Sequence, residues 1–401
     1  GLDYGKVEKV AQKAVDYGKK GSVFSRYFKL RKLKKEKVVF EKNIDIKDKA
    51  AKATLKEKAV PLAAHAVDAS ITIKDSKPTI TKAKEGKTVD ITKSIEVLEE
   101  YLNTKWKHKD FSIKMVMKKE KPKVKEKDLE SVTDELGSFS TDAGGGERWK
   151  NLKNGVEKLN GTAEMLNGTV LMPGEEASVH DLTAPYDEEH GYVPAGSYEN
   201  GQVVDSYGGG ICQVSTTLYN ALLYSEVEIT KRYPHSMLVN YVEPSRDAAI
   251  AGDTKDLRFK NNYDTPIYIH GKIDDNNQLT FAIYGKETRP ENRKIKLVSE
   301  TTKTEEYSVT YKTNSEAAIG SMEYTGSPHT GKTARLWKVI YEDGEEVGKE
   351  QINDSYYKKS DQIIEVGTKS DNPEASALVK NAVATQDRDK INAAIAQAAA
   401  I

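Results

Sequence analysis

Cysteine is almost absent from this sequence, because Cys212 is the only one among 401 residues. A single cysteine cannot form an internal disulfide, so stability must come from packing, and cysteine content does not indicate the redox compartment. A zinc site needs at least three ligands, and one cysteine with scattered histidines has no ligand spacing. We therefore expect no metal site and no cofactor.

Long apolar runs are also missing. No segment approaches the roughly 18 consecutive apolar residues of a membrane-spanning helix. We expect any leader or membrane anchor to lie outside these 401 residues. The length predicts two to four domains, at about 100–200 residues per domain.

The formal net charge of the sequence is zero, but the charges are unevenly distributed. Residues 1–130 hold 34 basic and 20 acidic residues, a balance of +14, and the remainder carries −14. A basic segment favours an anionic partner such as nucleic acid, a membrane surface or cell-wall polymer. The lysine-rich stretches 31–40 and 118–128 have no interleaved aromatic residues for base stacking, which disfavours nucleic acid. Ordinary solvated lysine faces are the favoured interpretation of these two stretches.

Hydrophobic periodicity predicts an α+β multidomain protein. Its predicted parts are an α+β module (1–129), a mixed α+β domain (130–290), an elongated all-β module with a thin core (291–369) and a helical tail (370–401). Within the first module we predict strands at 37–47, 69–75 and 111–124 and helices at 47–60 and 90–106, the last capped by Asp90. The second domain should end in a β-hairpin with an Asp-Asn-Asn turn.

Cys212 directly follows three glycines in the stretch SYGGGICQVSTTLYNALLYS, residues 206–225. Apolar residues recur at helical spacing from Val214 to Leu222, which predicts an amphipathic helix with the glycines at its entrance. A helix N-terminus lowers the pKa of a thiol, and its free N–H groups can hold an oxyanion. Cys212 is therefore a candidate nucleophile, with oxyanion donors at its own amide and along Gly208–Ile211.

The glycine-cysteine motif also fits roles without catalysis. A lone cysteine is often a small buried apolar side chain, and glycines before a helix can bind an anion without chemistry. A phosphate loop is disfavoured, because no lysine precedes the Ser/Thr pair of GGGICQVSTT.

A cysteine nucleophile usually needs a basic partner, which histidine most often supplies. The histidines of the predicted central domain are His180, His190, His235 and His270. His235 lies in RYPHS, shortly after the predicted helix, where a proline makes the turn rigid. An orienting carboxylate would come from Asp247 or Asp256, and we prefer Asp247.

Seven motifs in order between residues 130 and 287 together resemble the VanW family. They are GSFST (137–141), LNGTVLMPGEEAS (166–178), GYVPA (191–195), GGGICQVSTTLYNALL (208–223), RYPHS (232–236), SRDA (245–248) and DLRFKNN (256–262). Residues 36–127 resemble a peptidoglycan-binding module, and the stretches EYTGSPHTGKTARLWKVIYEDGEEVGKE and IIEVGTK resemble the G-five extracellular module. His180 stands where related sequences tend to carry asparagine.

The resemblance implies a Gram-positive surface protein that is secreted or held at the membrane, located outside the cell or in its wall. It also implies L,D-transpeptidation, with Cys212 as nucleophile and His235 as its histidine, acting on peptidoglycan stem peptides. We expect Asp247 to orient His235. Oxyanion or substrate-binding roles are predicted for Tyr207, Gly209, Gly210, Ile211, Gln213, Ser215 and Arg232.

Three functions compete at this point. The first is a cysteine L,D-transpeptidase that links the third residues of two stems and releases D-Ala. The second is a Cys/His L,D-carboxypeptidase or endopeptidase, in which water resolves the thioester. The third is a non-catalytic wall-binding protein with a structural Cys212. Each would have anionic wall polymer, and not nucleic acid, as partner.

Overall fold

The computed structural model describes residues 2–3, 6–40, 45–46, 48–74, 77–107, 109–157, 166–199, 202–252, 254–326 and 328–401. The chain divides into two compact units, Gly1–Ala69 with Thr81–Glu126, and Ser70–Ile80 with Lys127–Ile401. Among the described helices, none combines the length and the apolar character needed to cross a membrane.

Short elements make up the chain as far as residue 129. They are β1 (Leu2–Asp3), α1 (Lys6–Asp16), α2 (Val23–Lys35), β2 (Asp45–Ile46), α3 (Asp48–Lys58), a 3-10 turn (Val60–Leu62), β3 (Ser70–Lys74), β4 (Lys77–Thr81), β5 (Gly86–Val89), α4 (Ile91–Thr104), β6 (Met117–Glu120) and α5 (Glu126–Leu129). The strands pair as β1–β2, β3–β4 and β5–β6. In the first unit, Ile46, Ile95 and Leu102 are buried together with residues of α3 and α4.

The predicted helices of this region are confirmed, and Asp90 caps α4 by accepting from the Lys93 amide at 3.2 Å. The predicted long strand at 111–124 is wrong, because only β6 forms there. Both backbone groups of Val116 instead bond to the start of α4, since its N–H donates to Ser94 and its carbonyl accepts from Asp90. Of the strand predicted at 37–47, residues 37–40 are irregular, 41–44 and 47 lie outside the described residues, and only β2 forms.

The middle of the chain carries, in its described residues, nine strands and three helices. They are β7 (Asp134–Asp142), α6 (Glu147–Glu157), β8 (Val170–Leu171), β9 (Glu176–Ser178), α7 (Val179–Thr183), β10 (Pro194–Glu199), β11 (Gln202–Tyr207), α8 (Ile211–Tyr224), β12 (Glu228–Lys231), β13 (Arg258–Lys260), β14 (Ile267–Ile273) and β15 (Gln278–Gly285). The sheets are antiparallel, in the orders β7-β15-β14-β8, β12-β13-β9 and β10-β11. The predicted hairpin is β14–β15, closed by the Asn277 amide donating to the Asp274 carbonyl at 3.0 Å.

Helix α8 lies at the centre of this region. Its apolar side chains, among them Val214, Leu218 and Leu222, belong to the main hydrophobic core and are fully buried. The polar side of α8, which an amphipathic pattern would place in water, is buried too. Since buried hydroxyl and amide groups require hydrogen-bond partners, this polar side must contact another polar segment.

Residues 245–250 provide that segment. The Ser215 hydroxyl donates to the Ala248 carbonyl at 2.5 Å, and the Ala248 amide donates to Thr216 Oγ1 at 3.0 Å. Asn220 Nδ2 donates to the Arg246 carbonyl at 2.8 Å. The polar residues of STTLYN therefore hold the SRDAAI segment along the helix and set the position of the residues within it.

The glycine run lets the chain enter α8 in a crowded place. Gly210 is the N-cap with φ of 104°, a left-handed conformation that favours glycine. At Gly209 a Cβ atom would lie 2.1 Å from the Ala195 carbonyl oxygen. The Gly209 carbonyl also accepts from Asn151 Nδ2 at 2.9 Å, which joins the turn to α6.

The remainder of the chain is a β module followed by two helices. Its elements are β16 (Arg293–Glu305), β17 (Val309–Ala318), β18 (Met322–Thr325), β19 (Gly331–Glu342), β20 (Glu345–Tyr357), β21 (Gln362–Lys369), α9 (Pro373–Ala384) and α10 (Arg388–Ala398). The sheets have the orders β16-β19-β20 and β17-β21-β18, and β17 runs parallel to β21. The described residues between 291 and 369 form strands and no helix, as predicted.

The β module does not form a separate thin core throughout. Leu297 and Leu336 are buried in the same cluster as α8. The final helices also pack on the module, where Val379 and Ile391 share a cluster with Val366. The segment predicted as a tail thus covers one of the sheets.

We expect Gly209→Ala to lower the free energy of unfolding by about 1–3 kcal/mol, the usual effect of inserting an atom into a packed site. The added Cβ would collide with a main-chain carbonyl that cannot move without shifting β10. Gly145→Ala is the matched control, since nothing lies within 4 Å of a Cβ there. Urea unfolding of both variants measures the difference, and equal midpoints would contradict this account of the glycine run.

Candidate active site

Cys212 is the second residue of α8 and lines a cavity of about 480 Å³. The side chain is partly exposed. Its sulfur contacts the main chain of Ile250, accepting from the amide at 3.4 Å and facing the carbonyl at 3.3 Å. The segment that α8 holds through its polar residues therefore also positions a donor at the thiol.

His235 lies beside the thiol in the same cavity. Its amide and its Nδ1 both bond to Asp247 Oδ2, each at 2.7 Å. Because an ionised carboxylate only accepts, Nδ1 carries a proton, and the hydrogen bond with Cys212 falls to Nε2. The three side chains thus form a Cys-His-Asp chain that begins at the cavity and ends in the protein interior.

Asp247 is completely buried. Its Oδ1 accepts from Arg232 Nη2 at 2.9 Å and from the Tyr357 hydroxyl at 2.5 Å. Arg232 also donates to the Asp247 carbonyl and to Ser355 Oγ, at 2.6 and 2.8 Å. Two of these groups, Tyr357 and Ser355, come from β20, so the β module completes the surroundings of the carboxylate.

Electrostatics favour the charged forms of these side chains. Burial alone would raise the pKa of the Cys212 thiol, but the hydrogen bond and charge of His235, the Ile250 amide and the charge of Lys255 bring the pKa below its ordinary value. Burial opposes a charged His235, yet its bonds with Asp247 and Cys212 raise the pKa of the imidazole to about 9. The pKa of Asp247 falls to about 2 against the effect of burial, through His235 and Arg232. The site therefore favours a thiolate–imidazolium pair.

The predicted oxyanion and substrate residues divide into two groups. Tyr207, Gly210, Ile211 and Gln213 line the cavity. Gly209, Ser215 and Arg232 do not: Gly209 is packed against Ala195, Ser215 bonds to Ala248, and Arg232 bonds to Asp247. Ser215 and Arg232 therefore stabilise the residues around the site without facing the cavity.

Several predicted oxyanion donors are already engaged. The amides of Gly209, Ile211 and Gln213 donate to the carbonyls of Ser206, Gly208 and Gly210 at 3.1, 3.0 and 2.8 Å. Within the described part of the chain, the amides of Gly208, Gly210 and Cys212 donate to no acceptor. These three N–H groups are the candidates for an oxyanion hole.

The other histidines and the other aspartate lie elsewhere. His190 bonds to Asp187 at 2.6 Å, and His270 is on β14, packed against Tyr284. Asp256 accepts from Ser178 Oγ and the His180 amide at the start of α7, at 2.7 and 3.0 Å. None of these side chains lines the cavity in the described chain.

Four residues at the site were missed by sequence reasoning. Arg148, Tyr241 and Lys255 line the cavity, and Tyr357 bonds to Asp247. Arg148 precedes the predicted helix by more than sixty residues, and Tyr357 belongs to another predicted module. No local motif connects them with Cys212. Among the described residues, no group of three His, Cys, Asp or Glu side chains is placed to hold a metal ion.

A thiolate paired with an imidazolium, itself oriented by a carboxylate, is equipped for nucleophilic attack on a carbonyl. Three regions of the chain match known protein families. Residues 148–284 match the family "VanW like protein", residues 1–110 match the family "Putative peptidoglycan binding domain", and residues 298–369 match the G5 domain. The chain thus contains a VanW-like domain, with a match to a peptidoglycan-binding domain before it and a match to a G5 domain after it.

Two curated relatives match part of the chain. YoaR of Bacillus subtilis is 37% identical over 111 residues, covering 28% of this chain and 37% of its own length. The vancomycin B-type resistance protein VanW of Enterococcus faecalis is 30% identical over 129 residues, covering 31% of this chain and 46% of its own length. The chain spans less than half the length of either relative.

Two solved G5 structures are also similar. The IgA1 protease G5 domain is 23% identical with a TM-score of 0.16, covering 20% of this chain and 94% of that one. HP0197-G5 is 13% identical with a TM-score of 0.13, covering 19% and 95%. The G5 assignment rests on the family match. Together the family matches indicate a cell-wall-related function and are consistent with an extracellular or cell-wall location.

Iodoacetamide should alkylate Cys212 with an apparent pKa below about 8.5, the value of an ordinary thiol. His235→Gln should raise this apparent pKa above that value, because burial then acts without the imidazolium. His190→Gln is the matched control, since His190 also bonds to an aspartate but lies outside the cavity. Rates between pH 5 and 10 followed by intact mass test this. An ordinary thiol profile in the unmodified chain would contradict the ion pair.

Tyr357→Phe should lower the free energy of unfolding by about 1–3 kcal/mol, since it removes a donor to a buried carboxylate and an acceptor for the Ser245 amide. Tyr356→Phe, the neighbouring exposed tyrosine of β20, should change stability by less than about 0.5 kcal/mol. Urea unfolding compares the two. If both variants match the unmodified chain, the β module does not support Asp247 energetically.

Proposed function

We propose that this chain is a cysteine L,D-transpeptidase that acts on tetrapeptide stems of peptidoglycan. The observation that carries the proposal is the Cys212-His235-Asp247 chain, which opens into a cavity of the VanW-like domain. In this reaction a bond between the third residue and D-Ala is exchanged for a bond to the third residue of a second stem.

The first half of the reaction forms a thioester. The Cys212 thiolate attacks the carbonyl carbon of the third residue, and the carbonyl oxygen becomes an oxyanion that the Gly210 and Cys212 amides can stabilise. His235 Nε2–H then gives its proton to the leaving nitrogen, so that the C–N bond breaks and D-Ala departs. Asp247 keeps the imidazole in the tautomer that this transfer requires.

The second half transfers the acyl group. The side-chain amine of the third residue of another stem attacks the thioester carbonyl and loses a proton to His235 Nε2. The C–S bond then breaks and the thiolate returns. If water takes the place of this amine, the same site is an L,D-carboxypeptidase, so the two functions differ only in what resolves the thioester.

The flanking domains support a role at the wall. The peptidoglycan-binding and G5 matches indicate binding to wall polymer. The +14 balance of residues 1–130 adds attraction for anionic polymer that salt would weaken. Both would hold the VanW-like domain near its proposed substrate.

Incubation with a disaccharide-tetrapeptide should release D-Ala, form a cross-linked dimer and leave a thioester adduct on the protein. Cys212→Ala should abolish all three while folding normally, because it removes only one sulfur atom from a partly exposed position. Mass spectrometry of protein and products makes the measurement.

The products separate the competing functions. D-Ala release without dimer would identify a carboxypeptidase. Dimer formation by Cys212→Ala would contradict the catalytic assignment of Cys212. Absence of all products from the unmodified chain would favour a wall-binding role without catalysis.

A further inference from the structure

We propose that Arg148 and Lys255 form a carboxylate-binding subsite beside Cys212, so that the site selects stems with a free carboxylate within one residue of the bond that is broken. This inference deepens the proposed function and rests on it for the identity of the substrate. The subsite itself is a property of the cavity that can be measured without any transpeptidase activity.

Arg148 contacts residues that precede and follow Cys212 in the sequence. Its Nη2 donates to Gln213 Oε1 at 2.7 Å, and Gln213 is the residue after Cys212. A Cβ on Gly210, two residues before Cys212, would lie 2.9 Å from Arg148 Cγ and 3.4 Å from its Nε. The glycine therefore leaves the space that the arginine side chain occupies.

The guanidinium is fixed but its charge is not neutralised. It lies over the Tyr241 ring at 5.6 Å, and Gln213 is itself anchored by bonds to Thr141 Oγ1 and the Asp142 carbonyl. Arg148 Nε is buried and has no hydrogen-bond partner. Among the described residues only Gln213 accepts a hydrogen bond from the guanidinium, so this rigid cation keeps N–H donors for an anionic ligand in the cavity.

The charge of the cavity agrees with this assignment. Lys255 is a second lining cation, fixed by donating to the Pro234 carbonyl at 3.0 Å, and it acts on the Cys212 thiol electrostatically. No aspartate or glutamate lines the cavity in the described residues, and neither cation forms an ion pair there. A thiolate–imidazolium pair adds no net charge, so the described lining residues carry a net positive charge that is complementary to an anionic substrate.

A tetrapeptide stem offers two carboxylates to such a subsite. One is the terminal carboxylate of the leaving D-Ala, three bonds from the carbonyl carbon under attack. The other is a side-chain carboxylate on the third residue, where that residue has one. Both would accept the same charge-assisted hydrogen bonds from the guanidinium, and only substrates can tell them apart.

The subsite is tested first with two alkylating agents of similar size, the anion iodoacetate and the neutral iodoacetamide. Each forms one S–C bond with Cys212 and releases iodide, and no other cysteine competes. The ratio of iodoacetate to iodoacetamide rates should exceed that of free cysteine and fall by about 10- to 100-fold in Arg148→Gln, the effect of losing a charge-assisted bond. Arg335→Gln, an exposed arginine on β19, should leave the ratio unchanged.

A protection experiment needs no substitution at all. D-Alanine should slow alkylation of the unmodified chain by iodoacetamide, and D-alaninamide should not. If Arg148→Gln fails to fold, this protection experiment still tests the carboxylate subsite. An unchanged ratio in a folded Arg148→Gln, or equal protection by the acid and the amide, would overturn the subsite.

Two modified stems then identify the carboxylate. Amidation of the terminal carboxylate should reduce kcat/KM by about 10- to 100-fold in the unmodified chain and have little further effect in Arg148→Gln if that group is bound. If the side-chain carboxylate of the third residue is bound, amidation of that side chain should cause this reduction in kcat/KM, and amidation of the terminal carboxylate should not. A chain that shows the iodoacetate preference but releases no D-Ala would refute the transpeptidase and keep the subsite.

Discussion

The site depends on keeping the Asp247 carboxylate ionised although it has no access to water. Burying an isolated charge is very costly, and such a charge persists only with opposite charges and hydrogen bonds around it. Arg232, His235 and Tyr357 supply these, the first two with charge and the third with a hydroxyl. Each partner is held in turn by other contacts, so this one charge links α8, the 245–250 segment and β20.

The same compensation determines how the network responds to pH. Asp247 has a folded pKa of about 2, below its ordinary 3.8, so its contribution to stability is present above pH 3.8 and is lost as the pH falls towards 2. His235 has a folded pKa of about 9, above its ordinary 6.5, so its contribution is complete below pH 6.5 and is lost as the pH rises through 9. The two contributions coexist around neutral and mildly acidic pH.

The β module contributes both to this network and to the apolar core beside it. The β module packs Leu297 and Leu336 into the core around α8 and brings Tyr357 to the carboxylate. Glu226, just after α8, is bonded to Arg293 and Lys338 of the same module. The VanW-like region and the G5 region therefore act as one structural unit around the cysteine, although they match separate families.

Sequence alone determined the local features of this protein. Glycines before a helical apolar pattern predicted a helix near Cys212, Asp90 predicted a cap, and the turn after Ile273 predicted a hairpin, because each depends on neighbours within a few residues. Proximity and motif likewise selected His235, which lies beside the thiol, and Asp247, which bonds to His235. The burial of the polar face of α8 could not be predicted from its pattern, because periodicity does not say which segment packs on a face.

Only the tertiary structure decided which distant residues complete the site. Arg148 comes from α6 and Tyr357 from β20, and no spacing rule relates them to Cys212. The tertiary structure also placed Ser215 and Arg232 away from the cavity, where they bond to Ala248 and Asp247. The physical reason is that burial and charge compensation depend on all the groups that surround an atom, and most of those groups are remote in the chain.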